Sequence, residues 1–148
     1  MPEIKQRSFT LVVVEDSDED FDTVAEAVKR SNVTAEVQRA TTGEAGLTLL
    51  RELAPDRAVI VLMDLNTPGT DGREALAALK TDPVLKAIPV IVFSTSSNPK
   101  DVEFCYAAGA NAYHVKPVRY PEHLQLVVAL VSYWFNWVAL SAGAGDRL

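Results

Sequence analysis

Four apolar runs of the chain each hand over directly to side chains capable of chemistry. FTLVVV is followed by Glu15 and Asp16, AVIVLM by Asp64, PVIVFS ends on Ser94 with Thr95 behind it, and AYHV leads into Lys116. Short runs rich in β-branched residues read as buried strands. In an open parallel sheet covered by helices, ligands bind beyond the carboxyl ends of the strands. Three carboxylates, a hydroxyl and an amine, far apart in the chain, therefore share one edge of the predicted sheet.

Three carboxylates at one edge repel one another, and a divalent cation relieves that repulsion. Hard oxygen ligands without His or Cys beside them suit Mg²⁺, which takes one or two carboxylates plus waters and phosphate oxygens. A carboxylate beside such a cation can attack phosphorus and form an aspartyl phosphate. The product carries added negative charge and calls for a cation such as Lys116 and a hydroxyl donor such as Ser94.

The elements that must position these groups follow from periodicity and punctuation. Strands are predicted at Phe9–Val14, Val33–Arg39, Ala58–Met63, Pro89–Ser94 and Asn111–Val115. Between them lie helical patterns: Phe21, Val24, Ala25 and Val28; a helix capped by Thr42 through Leu47, Leu50 and Leu53; Glu74 to Lys80, broken by Pro83; and Pro99 to Ala108, stopped by Gly109. The alternation calls for an α/β fold with a parallel sheet covered on both faces. A last helix is expected from Pro121 to Leu140, with residues 1–140 forming one domain and 141–148 a tail.

Composition narrows the classes. The chain has 148 residues, 48% hydrophobic and 23% charged, which excludes intrinsic disorder. One cysteine excludes a disulfide framework, and a net charge of −6 disfavours nucleic acid as a partner. The N-terminal residues lack the apolar core of a signal peptide, which points to the cytoplasm. The uncharged stretch Leu124 to Gly145 approaches the length of a membrane span, but Gln125, Ser132 and Asn136 interrupt it, so a buried or dimer-forming helix is expected instead. Asp18, Glu19 and Asp20 read as an acidic run complementing a helix dipole. His114, His123 and Cys105 read as structural.

VVVEDSDED, VLMDLNTPGTDG, PVIVFSTS and AYHVKP, taken in order at strand ends, resemble the successive motifs of response-regulator receiver domains. The resemblance covers Phe9 to Leu140. It implies a flavodoxin-like (βα)5 doubly wound sheet in the strand order 2-1-3-4-5. It also implies a phosphorylation-activated two-component switch that accepts a phosphoryl group from a sensor histidine kinase and catalyses its own Mg²⁺-dependent phosphotransfer and dephosphorylation. Carried over by residue, Asp64 is the phosphoacceptor and Asp16 and Asp64 are Mg²⁺ ligands. Glu15 holds the metal through water and Asn66 through its backbone carbonyl. Ser94 bonds the phosphoryl oxygen and Lys116 pairs with the phosphoryl group. Pro117 follows a cis peptide, and Tyr113 is the aromatic that turns inward as Ser94 moves. Thr95 departs from the small Ala that many receivers have after the switch hydroxyl, and its bulk narrows access to the site. Within the family, DPVLKAIPVIVFSTS and YWFNWVAL resemble the single-domain regulators that partner bacterial and cyanobacterial phytochromes.

Two other functions draw on the same residues. Asp64-Leu65-Asn66-Thr67 is similar to the nucleophile motif of haloacid dehalogenase-type phosphatases, but that chemistry needs a second acid where Asn66 stands. A flavodoxin-like cofactor binder would cradle a phosphate in its first loop, and EDSDED would repel one. The last helix is apolar nearly all round. One stripe holds Leu124, Val127, Val128, Val131, Phe135 and Val138, and a second holds Leu126, Leu130, Tyr133, Trp134 and Trp137. The second stripe is expected to be the interface of a homodimer, with a partner kinase or a membrane surface as the alternatives.

Overall fold

The structure is a computed structural model that describes residues 9–53, 57–67 and 72–141. Its elements alternate as β1 (Phe9–Val14), α1 (Asp18–Arg30), β2 (Ala35–Ala40), α2 (Gly43–Glu52), β3 (Ala58–Met63), α3 (Gly72–Thr81), β4 (Val90–Ser94), α4 (Pro99–Ala108), β5 (Ala112–Val115) and α5 (Tyr120–Asn136). The strands form one parallel sheet in the order β2-β1-β3-β4-β5. Every predicted strand and helix is present, with ends shifted by a few residues, as fraying and capping allow. Most of the expected tail, residues 142–148, lies outside the described residues.

Alternation along the strands builds two cores. Val12, Val14, Val59, Val61, Met63, Val90 and Val92 face one way, against Leu50, Leu76, Leu79 and Cys105 of α2, α3 and α4. Leu11, Val13, Ile60, Leu62, Ile91 and Phe93 face the other way, against Val24, Ala27 and Val28 of α1 and Leu124, Val127, Val131 and Phe135 of α5. A strand buried on both faces must be apolar throughout, which is why β1, β3 and β4 read as unbroken runs. The helix starts are local. The Ser17 hydroxyl accepts from the Asp20 amide (3.2 Å), and that of Thr42 from the Ala45 amide (3.1 Å). Gly109 closes α4 at φ 109°, a left-handed conformation that side chains other than glycine adopt at a cost.

The last helix differs from expectation twice. It stops at Asn136 instead of Leu140, where the amides of Trp137 and Val138 both turn to the Tyr133 carbonyl (3.0 and 3.2 Å). Beyond the helix, Leu140 packs, partly buried, on the core shared by α1 and α5. The second apolar stripe is also divided. Leu130 is buried, and Leu126 and Trp134 are half-buried against the same core, while Tyr133 and Trp137 stay 58% and 81% exposed. The physical reason is that α5 packs against α1 as well as against the sheet, so its buried arc is wider than one stripe. Apolar residues all round a helix do not by themselves require a second molecule.

Leu130→Ala should therefore lower the unfolding free energy by about 2–5 kcal/mol, the usual cost of emptying a core leucine. The loss should be the same at low and high protein concentration, as read by urea melts. A loss under about 0.5 kcal/mol, or one confined to high concentration, would return Leu130 to an exposed interface.

Candidate phosphoacceptor site

The strand ends deliver the polar groups because the ladders run one residue past the apolar runs. The Glu15 amide donates to the Ala40 carbonyl (2.9 Å), the Asp64 amide to Val14 (3.0 Å) and the Lys116 amide to Ser94 (2.8 Å). Each backbone is thus fixed by its neighbour strand, and the next side chain leaves the sheet at its carboxyl edge. The β1–α1 turn is pinned further by Arg39. Its Nε donates to the Glu15 carbonyl (3.0 Å), its Nη1 pairs with Asp18 (2.8 Å), and its guanidinium lies 4.9 Å from the centre of the Phe21 ring.

The site centres on a buried ammonium. Lys116 Nζ bonds Glu15 Oε1 at 2.6 Å, Asp20 Oδ2 at 2.9 Å and Asp64 Oδ2 at 3.4 Å. Glu15, Asp64 and Lys116 are all buried, whereas Asp16 is exposed at the mouth. Carboxylate oxygens of Glu15, Asp16 and Asp64 all lie within 4.8 Å of one another, a spacing at which they can hold a metal ion. With one ammonium against these carboxylates and Asp20, the edge carries excess negative charge. An all-oxygen set of this kind fits a hard divalent cation.

Burial raises the Glu15 carboxyl from 4.5 to about 7; the Asp64 charge adds to the rise, and the Lys116 hydrogen bond opposes it. For Lys116, burial alone would depress the ammonium. Its bonds to Glu15 and Asp20 and the Asp64 charge outweigh that and hold it above the ordinary lysine range.

The structure thus brings Glu15, Asp16, Asp64 and Lys116 together, as the sequence predicts. The Asn66 amide donates to Asp64 Oδ1 (3.1 Å), which keeps the Asn66 backbone against the acid. Ser94 is fully buried, and its hydroxyl accepts from the Ser96 amide (3.1 Å). Tyr113 is half-buried, and its hydroxyl donates to the Ser96 carbonyl (2.8 Å). His123 is buried and stacks on Phe93 (5.3 Å, 24°), the structural place expected of it.

Two expectations need correction. The Lys116–Pro117 peptide bond is trans; no cis bond occurs among the described residues. Trans is the intrinsically favoured isomer by about 0.5–1 kcal/mol, and Lys116 is already fixed by its amide and ammonium bonds. Asp20 is not merely part of a dipole-compensating run, since its carboxylate accepts from the Lys116 ammonium. The missed signal was its phase: Asp20 precedes the buried Thr23 and Val24 by three and four positions, so it lies on the inward side of α1. Sequence reasoning also passed over Gly72. A side chain there would meet the Leu65 Cα at 2.6 Å and the Asp64 carbonyl oxygen at 2.7 Å, so α3 begins in direct backbone contact with the loop after β3.

The raised Glu15 carboxyl gives a signed prediction. Between about pH 4.5 and 7 the folded chain keeps a proton on Glu15 that the unfolded chain has released. Its contribution to stability in cation-free buffer is therefore full below about 4.5 and is lost as the pH rises to about 7. A bound cation needs the ionised carboxylate, so cation affinity should move the other way and rise through about pH 7. Urea melts and divalent-cation titrations across this range should show both trends, and Glu15→Gln should flatten both. A wild-type affinity that is flat with pH would mean that Glu15 is already ionised in the cation-free fold.

A family model described as the response regulator receiver domain matches residues 11–128. Response regulator Rcp1 of Synechocystis sp. is 35% identical over 136 residues, spanning 89% of this chain and 92% of that protein. The crystal structure of the Mn(2+)-bound form of Rcp1 matches with a TM-score of 0.82 at 34% identity, covering 89% of this chain and 98% of that one. The phosphorylated cyanobacterial phytochrome response regulator RcpA matches with a TM-score of 0.84 at 34% identity, covering 91% and 99%. Response regulator RPA3017, in red light signaling of R. palustris, matches with a TM-score of 0.77 at 31% identity, covering 89% and 97%. The phosphatase and flavodoxin alternatives give way before these matches, and from its sheet order, its acidic strand ends and the span of the family match, the chain belongs to the response regulator receiver domain family.

Proposed function

We propose that this receiver, a phosphorylation-activated switch of a two-component system, takes its phosphoryl group on Asp64 from a phosphohistidine of a sensor histidine kinase. The observation that supports this reading is Lys116 Nζ, held between Glu15 and Asp64 at the carboxyl edge of the sheet. An Asp64 carboxylate oxygen attacks phosphorus. The O–P bond forms as the N–P bond of the phosphohistidine breaks, and the departing imidazole nitrogen takes the electron pair and then a proton from water. Lys116 turns its ammonium to the phosphoryl oxygens, and the Ser94 hydroxyl donates to one of them. Mg²⁺ would be held by Glu15, Asp16, Asp64 and the Asn66 carbonyl, and when bound it neutralises charge on the phosphoryl oxygens. Tyr113 follows the movement of Ser94. Hydrolysis of the acyl phosphate resets the switch.

The kinase we infer is a phytochrome. The support is that RcpA is a phytochrome response regulator and RPA3017 acts in red light signaling, each over about nine-tenths of this chain. The exchange belongs in the cytoplasm, where ATP feeds the kinase. We also propose a homodimer through α5, on a smaller contact than the sequence suggests. Tyr133 and Trp137 supply its exposed aromatics, while Leu126, Leu130 and Trp134 support them from the core side. No helix among the described residues is long and apolar enough to cross a membrane. Residues 1–140 are taken as the receiver and 141–148 as its tail.

Incubation with a small phosphodonor and Mg²⁺, followed by mass spectrometry, should place the label on Asp64. Asp64→Asn should abolish labelling, and so should chelation of the metal. Label persisting in the variant would overturn the assignment.

Trp137→Glu should convert dimers to monomers in sedimentation at tens of micromolar, with labelling of Asp64 unchanged. A monomeric wild type at that concentration would end the dimer proposal. Transfer of phosphoryl from an autophosphorylated phytochrome kinase, faster than from an unrelated kinase, would support the partner, and equal rates would remove it.

A further inference from the structure

One residue joins the two proposed switch side chains. The Ser96 amide donates to the Ser94 hydroxyl (3.1 Å), and the Ser96 carbonyl accepts from the Tyr113 hydroxyl (2.8 Å). Neither contact can persist unchanged if the turn after β4 moves. What holds Ser96 is its own hydroxyl, which donates to Asp101 Oδ2 at 2.5 Å and accepts from the Asn98 amide at 3.2 Å. Asp101 in turn takes two bonds from Arg73 on its other oxygen, from Nη2 at 2.6 Å and Nε at 3.2 Å. The Arg73–Asp101 pair is largely shielded, with side chains 29% and 22% exposed. Arg73 follows Gly72, whose amide donates to the Leu65 carbonyl (3.1 Å) and whose Cα packs on the Asp64–Leu65 backbone. A continuous chain of contacts thus runs from the loop after Asp64, through the start of α3 and the first turn of α4, to Ser94 and Tyr113.

We propose that Asp101 is a positioning residue for phosphotransfer: clamped by Arg73, it holds Ser96 and so keeps the Ser94 hydroxyl and the Tyr113 ring in their unphosphorylated places. The inference rests on the roles given to Ser94 and Tyr113 above. It goes beyond them in assigning the restraint to a charged latch between α3 and α4. The carboxylate is matched to this task, because one oxygen serves the turn and the other serves α3. An amide or alkyl side chain offers at most one of these acceptors. Releasing the latch lets the turn reach the phosphorylated arrangement more easily, so the loss of Asp101 should speed the reaction.

Ser96→Ala removes the hydroxyl but leaves both backbone contacts, and Asp101→Ala removes the whole anchor. Each variant should label Asp64 from a small phosphodonor with Mg²⁺ on the order of tenfold faster than wild type, the scale of a charge-assisted hydrogen bond. In NMR spectra without donor, the Ser96 amide and Tyr113 ring should shift toward the positions that wild type takes with beryllofluoride and Mg²⁺. A merely structural contact would lower the melting temperature without raising the labelling rate. If wild type responds to beryllofluoride but both variants label at its rate with its resting resonances, the latch is overturned and the switch reading stands. If Ser96 and Tyr113 of wild type do not respond at all, the switch reading fails and the latch with it. Should Asp101→Ala fail to fold, the Ser96→Ala result decides the question alone.

Discussion

The arrangement turns on one buried ammonium. Lys116 gives its bonds to Glu15, Asp20 and Asp64, which come from the turn after β1, the first turn of α1 and the end of β3. Two of those acids are themselves buried, and without the lysine they would face each other in a medium that screens poorly. Removing one partner from such a cluster typically costs about 3–5 kcal/mol, because the charge left behind stays buried. Lys116 follows β5, and β4 lies between that strand and β3. Its stem must therefore reach past the end of β4, where Ser94 stands. A long flexible cation is what this sheet order asks of that position, and the same reach brings the amine to the acids that follow β1 and β3.

The sheet supplies the rigidity that such a cluster needs. β1 and β3 pair in register from Phe9 opposite Ala58 to Val14 opposite Met63, and both are buried on both faces. The ladder and apolar packing set their positions up to the last paired residue, and the next residue on each strand is a carboxylate. Charge is thus confined to the edge, where the ladder ends and a cation can enter. A carboxylate one residue earlier would sit in either core without a partner, at a cost of several kcal/mol. This explains why the acids stand where they do and why the strands before them carry no polar residue except Thr10, whose hydroxyl is reached by Arg57 from the opposite end of the sheet.

Much of this was legible in the sequence, for a definite reason. Strand, strand end and site coincide in a parallel sheet, so finding the four apolar runs also located Glu15, Asp16, Asp64, Ser94 and Lys116. What escaped depends on helix phase and on turns, where one-dimensional patterns are weak. Asp20 was hidden in an acidic run whose members look alike until the inward face of α1 is identified. Leu130 looked like an interface residue because the sequence does not show that α5 leans on α1 as well as on the sheet. The bonds of Ser96 to Ser94, Tyr113 and Asp101 join residues of ordinary turn composition, and nothing in their types marks them out. The trans bond before Pro117 shows the opposite error: a family resemblance supplied a feature that this chain does not need to place its lysine.

The resting site is balanced but not relaxed, and this shapes what a phosphoryl group would do to it. An ammonium has three N–H groups, and in this fold all three face carboxylates. On the reading that Asp64 is the acceptor, a phosphoryl oxygen can gain Lys116 only if one of these bonds is released. Asp20 is the member that water can replace, since its side chain is 34% exposed against 10% for Asp64 and 6% for Glu15. Its release leaves a hydrated carboxylate at the start of α1, where the helix dipole favours negative charge. Exchange at Asp20 therefore costs less than exchange at Glu15, whose buried carboxylate would lose its cation with no water to compensate. Asp20 keeps the lysine paired in the resting state and is also the partner most easily given up, so the site can take on charge without exposing its buried acids.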